Sequence, residues 1–166
     1  MNNNTIHIKI NDSELKHRLD GFGEQFFKAK ISALKHSAKV LKDSATDAFK
    51  SSGISNNPNP KYNDLLSDAI RISRVDEVDS AIKVHIMGVR SKGSGTFRLR
   101  FFENGTKERF QSQLKGKPLK KKRSLGQIPN GKYSFFDTSI ARSESNAVSA
   151  FNETLQKYIE RAWNNG

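Results

Sequence analysis

Four histidines, His7, His17, His36 and His85, and the carboxylates at Asp64, Asp68, Asp76, Glu77 and Asp79 are the residues whose types allow metal or acid–base chemistry. A zinc or proton-relay site needs such groups at short helical or loop spacings, and no His-x-x-x-His pair occurs. Each histidine therefore reads as an ordinary surface or sheet residue. Paired carboxylates share catalytic work only where a fold holds them over a pocket, and the group at Asp76, Glu77 and Asp79 falls in a turn-like stretch where Asp is favoured. Ser91-Lys-Gly-Ser-Gly-Thr96 contains glycines but lacks the order of a phosphate-binding loop, and no Gly-x-Ser-x-Gly is present. There is no cysteine, so disulfides, thiolate metal sites and thiol nucleophiles are excluded. The reading is a non-enzyme with no cofactor, no metal and no catalytic residue.

Charge is the stronger signal. The chain carries a net charge of +12, and nine Lys/Arg against the single acid Glu108 lie within 107–132. These are Lys107, Arg109, Lys115, Lys117, Lys120, Lys121, Lys122, Arg123 and Lys132. A field concentrated in one segment favours an anionic partner such as DNA or an acidic protein surface. With Phe110 and Tyr133 at its edges and Arg98 and Arg100 nearby, the segment can neutralise phosphates, but Lys-rich runs carry no sequence code.

The elements that position these residues follow from periodicity. Ile6, Ile8 and Ile10 alternate with polar residues as in a half-buried strand, and Asn11-Asp12-Ser13 offers a turn. Phe27, Ile31, Leu34, Ala38, Leu41, Ala45 and Ala48 fall on one stripe of a long helix that Gly53 terminates, with Lys28, Lys30, Lys35, Lys39, Lys42 and Lys50 on its solvated faces. Ser55-Asn-Asn-Pro-Asn-Pro60 is a loop. Ile70 and Ile72, then Ile82, Val84 and Ile86, form two antiparallel strands; Phe97, Leu99 and Phe101, alternating with Arg98 and Arg100, predict a third with a cationic outer face. Ile140, Ala147, Val148, Phe151, Leu155 and Ile159 mark a final helix, capped at Asp137, Thr138 or Ser139.

The expected fold is a single α+β domain spanning 1–166. It is a small antiparallel sheet of three to four strands with two long helices packed against it, and a flexible basic loop over 107–133. The hydrophobic share is 34%; counting Gly and omitting Tyr gives about 39%, against the roughly 45–50% of ordinary globular chains. A core this thin leaves residues waiting for a partner. Met1-Asn-Asn-Asn-Thr5 opens without a leader pattern and no stretch approaches the ~20 apolar residues of a membrane span, so neither export nor a membrane partner is expected.

Two motifs carry a resemblance. Phe101-Phe-Glu-Asn-Gly-Thr106 resembles the aromatic-x-Glu-x-Gly-Thr turn of the tail-completion proteins of long-tailed bacteriophages, the head–tail joining or minor tail proteins of the neck. Ser134-Phe-Phe-Asp-Thr-Ser-Ile140 is similar to the motif that opens the last helix in that family, although the family's Pro and Arg are missing here. The order of elements matches over most of the chain, from Ser13-Glu-Leu-Lys-His-Arg-Leu19 through the long helix Phe26–Phe49 to Tyr62-Asn-Asp-Leu-Leu-Ser-Asp-Ala-Ile70, where Asp64 stands near an expected Gly. The resemblance implies a structural virion protein, assembled in the host cytoplasm. It would form a homo-oligomeric ring of six copies that joins the tail to the DNA-filled head. Its implied partners are head-closure or connector proteins, tail-terminator or tail-tube proteins, and genomic DNA in the lumen.

On that implication Arg98, Arg100, Lys115, Lys117, Lys120, Lys121, Lys122 and Arg123 face DNA or a partner. Glu103, Asn104, Gly105 and Thr106 form a turn or intersubunit contact, and Phe135 and Phe136 open the last helix. Independently of any family, Asn104 and Gly105 tolerate positive φ, and Glu103 can accept bonds from backbone N–H groups or meet a neighbour's Arg. The alternative reading is a non-specific nucleic-acid-binding accessory protein, supported by the charge and opposed by the absence of a reading motif.

Overall fold

A computed structural model describes residues 5–9, 23–58, 64–76, 80–86, 96–114 and 117–164. The expectations placed on Ile10, Asn11–Ser13, Ser13–Leu19, Asn59, Pro60, Tyr62, Asn63, Glu77, Asp79, Ser91–Gly95 and Lys115 lie outside the described residues. The elements in chain order are β1 (Thr5–Lys9), α1 (Gly23–Ser51), β2 (Ile70–Ile72), β3 (Ala81–Ile86), α2 (Leu99–Asn104), β4 (Arg109–Leu114), β5 (Lys117–Gly126) and α3 (Phe135–Asn164). Single 3-10 turns at Leu66–Ala69 and Thr96–Arg98 lead into β2 and α2. The architecture is α+β, as the patterning predicts.

Two long helices make the body. α1 buries Ala29, Ala33, Leu34, Ala38, Leu41, Ala45 and Phe49, and α3 buries Ile140, Ala147, Phe151 and Leu155. Ala and Ser at the contact let the two helices approach closely, since helix separation is set by the side chains between them. Ser37, Ser139 and Ser143 are buried there too, and Ser44 and Ser143 share a hydroxyl hydrogen bond. Further along, the Thr154 hydroxyl donates to the Ala150 carbonyl at 2.7 Å, so the His36 Nδ1–H must be the donor in its 2.7 Å bond to Thr154 Oγ1. The buried stripe of α1 keeps Leu34, Ala38, Leu41 and Ala45 of the predicted one but is broader: Phe49 and Ala33 join it, Lys30, expected on a solvated face, is buried, and Phe27 is exposed. On α3, Val148 is 53% exposed rather than part of the core.

The other face of α1 meets a three-stranded sheet of order β1-β3-β2. β3 pairs antiparallel with β1 (Ile6↔Val84, Ile8↔Ile82) and with β2 (Ile70↔Ile86, Ile72↔Val84). As the central strand, β3 contributes Ile82, Val84 and Ile86 to the core, all nearly inaccessible. Burying a Val or Ile side chain contributes ~1.5–3 kcal/mol, so this short strand anchors the sheet out of proportion to its length.

Two expectations need correction. Phe97–Phe101 is not a third meander strand: its backbone forms the 3-10 turn and then α2, and the third strand is β1. In α2 the two buried residues are Leu99 and Glu103, four apart and so on one helical face. The segment 107–133 is not simply a loop either. It holds the two-stranded sheet β4-β5, followed by a turn before α3.

Candidate functional site

The junction between α2 and α3 brings the two sequence motifs together. Glu103, at 4% exposure, lies against the first turn of α3. Its Oε2 accepts the Phe135 N–H at 3.1 Å, both oxygens accept the Phe136 N–H at 3.2 Å, and Oε1 accepts the Asp137 N–H at 3.3 Å. A helix start leaves such N–H groups without intrahelical partners and carries the positive end of the dipole, so a carboxylate there satisfies both. The cap of α3 thus comes from a residue more than thirty positions upstream, not from Asp137, Thr138 or Ser139. Burial pushes the Glu103 carboxyl above its ordinary value and the nearby Asp137 adds to the rise, while the three N–H groups pull it back; the balance falls on the side of burial.

The residues that follow extend the junction. Gly105 ends α2 at φ 71°, the conformation that glycine adopts without Cβ strain. A Cβ here would lie 2.7 Å from Asn130 N and 2.8 Å from Ile128 O, so the position is closed to other residues on two counts. Thr106 then latches onto the returning chain: its N–H donates to Ile128 O at 2.8 Å, and its Oγ1 accepts the Ile128 N–H at 3.1 Å. Phe102 meets Tyr133 edge to face at 5.7 Å, and Lys132 Nζ lies 5.2 Å from the Tyr133 ring centre. Phe135 and Phe136 are buried, Phe135 against Phe49 at 5.6 Å. Both ends of the basic segment are thereby clamped to the body.

Between the clamps stands the β4-β5 hairpin, which pairs with itself and packs on no other strand or helix to a comparable extent. Between the pairs Gln111↔Arg123 and Gln113↔Pro118, β4 has only Ser112 while β5 has Leu119, Lys120, Lys121 and Lys122. The lysine run therefore occupies a wide bulge, the kind of irregularity that re-aims side chains. Lys107, Arg109, Lys117, Lys120, Lys121, Lys122 and Arg123 are all exposed. Among the described residues the ion pairs are Lys50–Asp47 and Arg98–Asp64, neither on the hairpin. The hairpin's one acid, Glu108, instead accepts the Ser124 hydroxyl at 3.0 Å.

Arg98 and Arg100, expected beside these cations, work within the fold. Arg98 pairs with Asp64 at 3.5 Å with both side chains largely covered, and Arg100 Nε donates to the Ile86 carbonyl at 3.0 Å. Nearby His85 has its pKa lowered first by burial and then by Arg100, Lys83 and Arg71. Among the described residues no group of three or more His, Cys, Asp or Glu side chains converges on a metal position. An open depression between α1 and β2, lined by Lys42, Thr46, Ser67, Asp68 and Arg71, offers one carboxylate and no acid–base pair. No helix among the described residues is long and apolar enough to cross a membrane.

No family model, curated protein or solved structure matches the chain. The arrangement itself is therefore the basis for any functional reading: a helical body, a carboxylate-capped junction and a basic arm held by it.

Proposed function

We propose that the protein is a structural subunit of a bacteriophage neck, forming a ring that joins the tail to the DNA-filled head. The observation that carries this reading is the α2–α3 junction. The two stretches that resemble the tail-completion motifs, Phe101–Thr106 and Ser134–Ile140, build one structural unit through Glu103 and the first turn of α3. Beside the junction, Thr106 and Ile128 tie the two ends of the basic hairpin together, as a protomer presenting an arm to a neighbour or to a lumen requires. Closed rings arise when head-to-tail interfaces repeat by rotation, and a thin-cored protomer gains stability from such contacts. In this reading copies of the chain, head-closure or connector proteins and tail-terminator or tail-tube proteins are the protein partners, and genomic DNA passes the arm.

A second reading, a non-specific nucleic-acid-binding accessory protein, is favoured by one observation: the hairpin's cations have no partners among the described residues of their own chain. Gold-labelled antibody against the protein, applied to purified virions, separates the two. Label at the neck is the expected result. Absence of label from virions, with the protein abundant in infected cells, overturns the neck reading and leaves the accessory one.

A further inference from the structure

Seven exposed cations lie on the β4-β5 hairpin and the residues leading into it, left unpaired by the described residues of their own chain, and charge concentrated in this way favours an anionic partner. We propose that the β4-β5 hairpin is a duplex-DNA-binding arm that contacts backbone phosphates without reading sequence. The inference rests on the neck reading only in so far as that reading puts DNA beside the arm.

Three features choose duplex DNA over other anions. The first is shape: an antiparallel two-stranded ribbon, here six residues of β4 paired with β5, is an element that the major groove of duplex DNA admits. The second is the kind of charge. Five of the seven cations are lysines, compact point charges that can neutralise a repeating line of phosphates without a fixed bidentate geometry. The third is the scarcity of rings. Single-strand binders stack successive bases on several aromatics, and between the clamps the hairpin has only Phe110, 54% exposed and paired across the ribbon with Ser124. Sequence reading needs side chains held in fixed geometry against base edges; Lys120, Lys121 and Lys122 lie in a bulge where the strand register is irregular.

The test is fluorescence anisotropy of the full chain with a labelled mixed-sequence duplex between 50 and 200 mM salt. A second duplex of shuffled sequence, single-stranded DNA of equal length and polyglutamate serve as competitors. With all seven cations engaged, the slope of log affinity against log salt is about −6, a loss of roughly 10³–10⁴-fold over that range. The variant K120S/K121S/K122S/R123S removes four cations, leaving a slope of about −3 and a loss of roughly 40-fold. A second variant, K107S/R109S/K117S, lowers the slope by about 2.7 from the other part of the ribbon. Circular dichroism of both is expected to match the parent, because every substituted side chain is exposed.

Equal affinity for the two duplexes and a slope that falls with each variant support the arm. An unchanged slope in both variants, no binding at 50 mM salt, tighter binding to single strands, or tighter binding to polyglutamate would each overturn it, the last in favour of an acidic protein partner. Failure here leaves antibody labelling of the neck untouched, and a protein absent from the neck can still bind duplex DNA in this way.

Discussion

Replacing Glu103 by Ala probes the residue on which the junction depends. The substitution removes the acceptor for three N–H groups of the first turn of α3 and deletes a negative charge from the positive end of a helix thirty residues long. Loss of a cap costs ~0.5–2 kcal/mol, and the charge–dipole attraction is offset by the burial that raises the carboxyl. At ~2–4 °C per kcal/mol for a chain of this size, that is a loss of a few degrees in melting temperature.

Glu103→Gln keeps one carbonyl oxygen but turns an amide N–H toward backbone donors, so it recovers about half of that loss. Because burial raises the carboxyl above its ordinary 4.5, the folded chain holds the Glu103 proton more tightly than the unfolded chain. The stability this adds is complete below 4.5 and is lost as pH rises through the folded value. The deficit of Glu103→Gln against the parent is therefore larger at pH 4 than at pH 7. Urea titrations at the two pH values measure it. A deficit under ~0.5 kcal/mol for both variants, the range of an ordinary surface substitution, refutes the capping role, and a deficit that grows with pH refutes the dominance of burial.

Three further outcomes follow from the same geometry. Gly105→Ala, forced into a positive φ and against Asn130 and Ile128, is expected to cost more than ~2 kcal/mol and to speed exchange of the Thr106 and Ile128 amides in hydrogen-exchange measurements. Phe136→Ala, at a fully buried position, should cost ~3–5 kcal/mol by chemical denaturation, whereas Val148→Ser, on an exposed one, should stay within ~0.5 kcal/mol. His85 has its pKa lowered from 6.5 by burial and by Arg100, Lys83 and Arg71, so the unfolded chain takes up its proton first as pH falls. The stability this confers is complete above 6.5 and is lost on descent to the folded value; the fall in urea midpoint between pH 7.5 and 5.5 should be smaller in His85→Gln than in the parent.

The long helices and the β2–β3 pair are legible in the sequence because their apolar residues meet a core, and burial writes its period into the chain. Ile82, Val84 and Ile86 alternate because β3 is half covered by α1. α2 reads as a strand for a physical reason. Over Phe97–Phe101 the alternation with arginine imitates a strand, and the helical period is visible only if Glu103 is counted with Leu99 as buried. A carboxylate is not ordinarily counted so, and here it is buried because distant N–H groups satisfy it. Gly105, in the position glycine favours after a helix end, is the available clue. The hairpin leaves no periodic mark because its two strands pack chiefly on each other, so β4 and β5 have little need for alternating apolar residues. The charge that marks the arm is plain in the sequence. That it stands on a ribbon clamped at Thr106 and Ile128 is not, because the clamp consists of one backbone bond and one hydroxyl acceptor between residues twenty-two apart.

The most direct test of the neck role is electron microscopy of a lysate from the parent phage carrying an early stop codon in this gene. DNA-filled heads beside finished, unattached tails are the predicted result, with joining restored by adding the purified protein. Normal attached particles in that lysate would contradict a joining function.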